Sequence, residues 1–342
     1  MFKFYINNAL PFLDKKISAE YLLAMMKKIY LGLDIGGTKI EGAVAELHSA
    51  THSFTVFSKK RIAVATSVKY EDFLLSVIDL IKDLINDSSF KIHELNAIGI
   101  GLPGSLDPES KIMLNGNTRF LIGKDFVRDL KENLGHEIVI HAQNDANLFA
   151  LSEAWGGAGV EFGKTHNIAF KKQIALGLTL GTGVGGGLSA FGKIFNGVHG
   201  SALEVGHISL NPNGDVCYCG QKGCAERYLS GTALNLTPGF SDAKSIFDQA
   251  ALGDKTALLV LEEYRRSMIH FLSILNNLFN PHYFVFGGGL SNQKIIFENL
   301  KEDLSKNIFL SAQFCPEIYI NRLGDSSGLF GAMIYAHENI NS

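Results

Sequence analysis

The chain has 342 residues, of which 46% are hydrophobic and 19% charged, with a formal net charge of −3 and no long basic run. This describes a globular protein long enough for two domains of ordinary size, and it lacks the electrostatic footprint of a nucleic-acid binder. No apolar run reaches membrane-spanning length.

Residues 1–26 share no pattern with the rest of the chain. They are expected to be a helical extension, a targeting peptide or an upstream start, with Met25 or Met26 a candidate first residue, and no function is assigned to them. The segment KIYLGLDIGGTKIEGAVAE, Lys28 to Glu46, reads as strand, glycine turn, strand, because Ile29, Leu31 and Leu33 alternate with period two. A bare hairpin would account for Gly36 and Gly37. Asp34, Thr38 and Lys39 add a carboxylate able to face Mg2+, a hydroxyl and a cation, the groups a nucleotide phosphate needs.

Apolar spacing of three and four predicts a helix over Tyr70 to Ile85, and AIGIGL, Ala97 to Leu102, predicts a strand that ends in Pro103-Gly104-Ser105. Asn115 and Asn117 follow in a loop, where asparagine serves turn chemistry or binds a polar ligand. Ile138 to His141 predicts another strand, and Leu148 to Trp155 a helix. Asp145 then stands at a strand-to-helix junction, where it either caps the helix or faces a cleft and takes a proton from a substrate hydroxyl.

IALGLTLGTGVGGGLSA, Ile174 to Ala190, repeats the first strand–turn–strand unit, which reads as an internal duplication. Two such turns, the second through Gly181, Thr182 and Gly183, could grip a nucleotide from both sides, and GGGLS at Gly287 to Ser291 follows a further strand, His282 to Phe286. An amphipathic helix is predicted over Leu258 to Leu278, and a last strand over Ile318 to Ile320. Between these units lies the segment Glu204 to Gly231, which holds three of the four cysteines. His207, Cys217, Cys219 and Cys224 are the nitrogen and sulfur donors of a tetrahedral Cys3His zinc site, and four protein ligands make it structural. Buried thiols beside an unrelated histidine, or disulfides, are the competing readings; the odd cysteine count of the cluster and the lack of a secretory signal argue against the second.

Taken in order, DIGGTK, GLPGS, NDAN, LGTGVGGG, EVGH, CYCGQKGC, AERYLSG, GGGLSN and GDSSG resemble the ROK family (repressors, open reading frames and sugar kinases) of the sugar kinase, actin and Hsp70 superfamily. The resemblance runs from about Lys28 to the C-terminus. It implies an α/β fold of two ribonuclease-H-like domains around a central cleft, divided as 27–141 plus 328–342 and 142–327. It also implies ATP-dependent phosphorylation of a hexose hydroxyl, the 6-OH, with Mg2+ and a structural Zn2+, in a cytoplasmic homodimer. Asp145 would be the general base. Gly104, Asn117, Asn144, Glu204, His207 and Glu226 would bind the sugar, His207 turning one nitrogen to zinc and the other to the sugar. Asp34, Gly36, Gly37, Thr38 and Lys39, with Gly181, Thr182, Gly183, Gly287, Gly288 and Gly289, would bind the nucleotide.

NGNTRFLIG resembles fructokinases, whereas LSEAWGG and LGLTLGTGVGGGL resemble N-acetylglucosamine kinases. The expected substrate is a free hexose, fructose first, with N-acetylglucosamine or N-acetylmannosamine as the alternative. A sugar-responsive repressor is the alternative of another class, disfavoured because the leader is too short for a helix-turn-helix domain; no nucleic-acid or membrane partner is expected. A chaperone-like relative would leave the zinc cluster unexplained.

Overall fold

The computed structural model describes residues 27–64, 69–116 and 118–340; the expectations for residues 1–26 lie outside them. Two five-stranded sheets carry the fold. The first has the order β3-β2-β1-β4-β5, from Ile29–Ile35 (β1), Lys39–His48 (β2), Ser53–Ala63 (β3), Ala97–Leu102 (β4) and Ile140–Asn144 (β5). The second has the order β10-β9-β6-β7-β8, from Ile174–Leu180 (β6), Val184–Ala190 (β7), Lys193–Ile194 (β8), Tyr283–Gly287 (β9) and Glu317–Ile320 (β10). Each is an antiparallel meander of three strands to which two parallel strands are added. The repeated unit of the sequence is therefore repeated topology.

Register decides what the sheets present. Asp34 on β1 pairs with Gly101 on β4, and Leu102 on β4 with Asn144 on β5, so the carboxyl ends of three parallel strands share one edge. In the second sheet Thr179 on β6 pairs with Gly287 on β9, which places the turn after β6 beside the turn after β9. Ligands of α/β sheets bind beyond such carboxyl ends. The expected limit between residues 141 and 142 falls inside β5.

Helix α1 (Tyr70–Ser88) buries Phe73, Val77, Ile81 and Leu84, the face its three–four spacing requires, against the first sheet. Helix α3 (Lys255–Phe279) buries Leu261, Met268 and Leu275 in the core that also holds Leu176, Leu178, Phe284 and Phe286 of the second sheet. Helices α2 (Asp145–Gly156) and α4 (Ser327–Asn339) pack on each other, α2 also against β6 and β7, α4 against β1 and β4. Their hydrophobicity runs around the whole helix, as befits helices covered on more than one side. Close approach to the sheet demands glycine there: a Cβ at Gly99 would lie 1.9 Å from the Ala332 carbonyl oxygen. Buried Glu153 on α2 accepts hydrogen bonds from the backbone N–H groups of Arg322 and Leu323 and from Ser327 Oγ, at 3.0–3.1 Å, and so pins the start of α4. Among the described residues no helix is long and apolar enough to cross a membrane.

Candidate active site

A cleft of about 640 Å3 opens where both sets of carboxyl ends meet. Its wall takes Pro103 to Ser105 from the end of β4, Asn144 to Ala146 from the start of α2, Gly181 to Gly183 from the β6–β7 turn, Gly288 from beyond β9, and Glu204, His207, Tyr218 and Glu226 from the cysteine-rich segment. Asp34, Gly36, Gly37, Thr38, Lys39, Gly287 and Gly289 do not line it as the structure stands. Asn117 lies outside the described residues.

At the junction of β5 and α2 the capping falls to the residue before Asp145. Asn144 is the N-cap, its side-chain oxygen accepting from the Asn147 N–H at 3.1 Å. Its side-chain NH2 donates to the Gly104 carbonyl at 3.2 Å. Asp145 is the first helical residue, and its Oδ1 accepts the adjacent Ala146 N–H at 2.8 Å. Burial pushes its carboxyl up to about 6, helped by the charge of Glu204 and opposed by backbone N–H bonds. Asp34 is pushed up to about 7, first by burial, then by the charges of Asp145 and Glu41, with Lys39 and Arg61 partly offsetting them. A carboxylate held so high by burial and by neighbouring carboxylates is short of positive charge, which suits a divalent cation. Gly328 on α4 presses directly on Asp34, since a Cβ there would stand 2.8 Å from Oδ2.

Buried Ser105 belongs to the GLPGS motif, whose pattern implies no role for it. Its hydroxyl donates to Glu204 Oε1 at 3.1 Å, and its N–H donates to Asn115 Oδ1 at 2.9 Å. Glu226 Oε2 accepts the Val184 N–H at 3.0 Å and so ties the carboxylate to the β6–β7 turn. Gln143, also buried, orders the junction from below: Oε1 accepts the Asn144 N–H at 2.8 Å, and its NH2 donates to Asn196 Oδ1 at 2.8 Å.

The ligand atoms of His207, Cys217, Cys219 and Cys224 all lie within 4.8 Å of one another. His207 Nδ1 stands 3.6 Å from Cys217 Sγ, and Cys219 Sγ is 3.5 Å from Cys224 Sγ. Ligand–metal bonds of about 2.0–2.3 Å at tetrahedral angles set donors roughly 3.5–3.8 Å apart, so the donor set fits Zn2+. All four cysteines are free thiols. Gly223, at φ 65°, lets the loop close, for a Cβ there would meet the Asn211 carbonyl at 1.8 Å. With Nδ1 turned to the sulfurs, His207 Nε2 is left for the cleft, and the Tyr218 hydroxyl lies 3.1 Å from it.

A family model described as the ROK family matches residues 30–339. An N-acetyl-D-glucosamine kinase of Haemophilus influenzae is 34% identical over 322 residues, spanning 89% of this chain and 98% of the relative. A crystal structure of a ROK hexokinase from Thermus thermophilus superposes with a TM-score of 0.74 at 26% identity, over 92% of this chain and 99% of that one. A ROK family glucokinase from Streptomyces griseus, in complex with glucose and AMPPNP, gives a TM-score of 0.67 at 27% identity, over 91% and 100% of the two chains.

Proposed function

We propose that this chain, which belongs to the ROK family of sugar kinases and their relatives, transfers the γ-phosphoryl group of ATP to the 6-hydroxyl of N-acetylglucosamine. The observation that carries the reading is the place of Asp145. Its carboxylate stands in one cleft wall with a glycine turn, Gly181 to Gly183, and with Gly104, Asn144, Glu204, His207 and Glu226. Phosphoryl transfer asks mainly for positioning and charge neutralisation, with a base for the attacking hydroxyl. Asp145 takes that proton, and a base in this role contributes roughly a hundred- to ten-thousand-fold. Asn144, Glu204, His207 and Glu226 orient the ring hydroxyls. The amides of Gly181 to Gly183 and the hydroxyl of Thr182 approach the phosphates, with Thr38 and Lys39 completing the grip from the first glycine turn. Asp34 would hold Mg2+, which supplies charge neutralisation when bound. His207, Cys217, Cys219 and Cys224 would hold Zn2+, which shapes the loop that carries two of the sugar ligands.

Fructose is the first expectation from the sequence. The acetylated sugar replaces it because the Haemophilus relative, matched over nearly its whole length, is an N-acetyl-D-glucosamine kinase. ADP release is to be measured with N-acetylglucosamine, N-acetylmannosamine, glucose, mannose and fructose. N-Acetylglucosamine should give the highest kcat/KM. A higher value for fructose would overturn the sugar, and no ADP release with any of them would overturn the kinase reading.

A further inference from the structure

We propose that the Tyr218 hydroxyl fills the niche between His207 and Glu226 that a substrate hydroxyl must enter, so that the sugar binds by displacing it. The inference rests on the sugar-site reading above and adds a residue to which that reading gives no part. Tyr218 stands between two cysteines of the loop, its ring edge-on to His207 with centroids 5.2 Å apart at 89°. The hydroxyl is 3.1 Å from His207 Nε2, and Glu226 lines the same cleft. Yet the residue is 78% exposed, so little holds it in place beyond the ring contact and these polar partners.

The pairing is chemically specific. With Nδ1 given to the metal, Nε2 would carry the imidazole proton and donate it to the phenol oxygen, which keeps its own proton to donate. A sugar hydroxyl offers the same pair of functions, one acceptor and one donor. His207 has a single N–H on that side and cannot serve both groups at once, which favours displacement over a shared network. A rotation about the Tyr218 side-chain bonds carries the hydroxyl to water, and its high exposure leaves the path open. The loop thereby competes with its own substrate, and it weakens every sugar whose hydroxyl fits the niche poorly.

The test is calorimetric titration of N-acetylglucosamine into zinc-loaded, nucleotide-free wild-type protein and Tyr218→Phe. The phenylalanine keeps the ring against His207 and removes only the hydroxyl. Net hydrogen-bond contributions of this kind correspond to about three- to tenfold tighter binding by the variant. Equal or weaker binding by Tyr218→Phe overturns the proposal while leaving the sugar site intact. No binding by either protein overturns the sugar-site reading, and this proposal with it.

Discussion

Asp145→Asn should separate function from stability, because the feature that makes the carboxylate useful also costs folding energy. Burial lifts its carboxyl from an ordinary 3.8 to about 6, so the folded chain holds the proton more tightly than the unfolded chain does. As pH rises from about 4 the unfolded state ionises first, and stability is lost until the folded carboxyl has ionised too, near pH 6. At about 1.4 kcal/mol for each tenfold in proton affinity, the cost at pH 8 is about 3 kcal/mol. Asparagine avoids it and still offers an oxygen to the Ala146 N–H. It forfeits the attraction between a negative charge and the start of α2, about 0.3–1 kcal/mol. It also relieves Asp34, which the Asp145 charge helps to push up. The net expectation is a gain of about 2 kcal/mol at pH 8, read as a melting temperature about 2–5 °C higher. The gain should shrink by about 1 kcal/mol at pH 5, where part of the wild-type cost has gone. Turnover should fall at least about a hundredfold, and wild-type turnover should itself decline below about pH 6 as the base protonates. A variant no more stable than wild type at pH 8, or a gain that is the same at pH 5, would refute a net folding cost for the Asp145 charge. Near wild-type turnover would remove it from the chemistry.

Ser105→Ala removes the donor that steadies Glu204 and should raise KM for the sugar about three- to tenfold with kcat little changed; a fall in kcat alone would contradict a positioning role. Cys219→Ser should lower zinc per chain, melting temperature and sugar affinity together, because the loop bearing His207 and Glu226 is folded around that cluster. Metal analysis and sugar titration read this, and unaltered affinity would mean that cluster and pocket are independent. Gly99→Ala forces a Cβ against the Ala332 carbonyl and should lower the stability measured in urea by about 1–3 kcal/mol or more. Gly37→Ala, whose Cβ would meet nothing within 4 Å, is the control, and equal losses would refute the packing argument.

What could be read directly from the chain was local. The zinc donors lie within one short segment, the face of α1 follows from residue spacing, and the duplicated turns repeat one pattern. Periodicity is weaker at β3, whose exposed outer face makes SFTVFSKKRIA a polar string, and no strand is predicted there from sequence. The choice between cap and base at Asp145 needed coordinates, because it depends on where the helix starts, and that start leaves the capping to Asn144. The bond from Ser105 to Glu204 joins residues 99 positions apart, and it exists only once β4 and the cysteine-rich segment face the same cleft. Tyr218 likewise has no signature of its own, since any residue type could occupy the gap between two ligating cysteines. Short-range pattern settles which elements form and which donors cluster. The contacts that aim side chains across the cleft arise only when two sheets close on the helix pair between them, which no local pattern encodes.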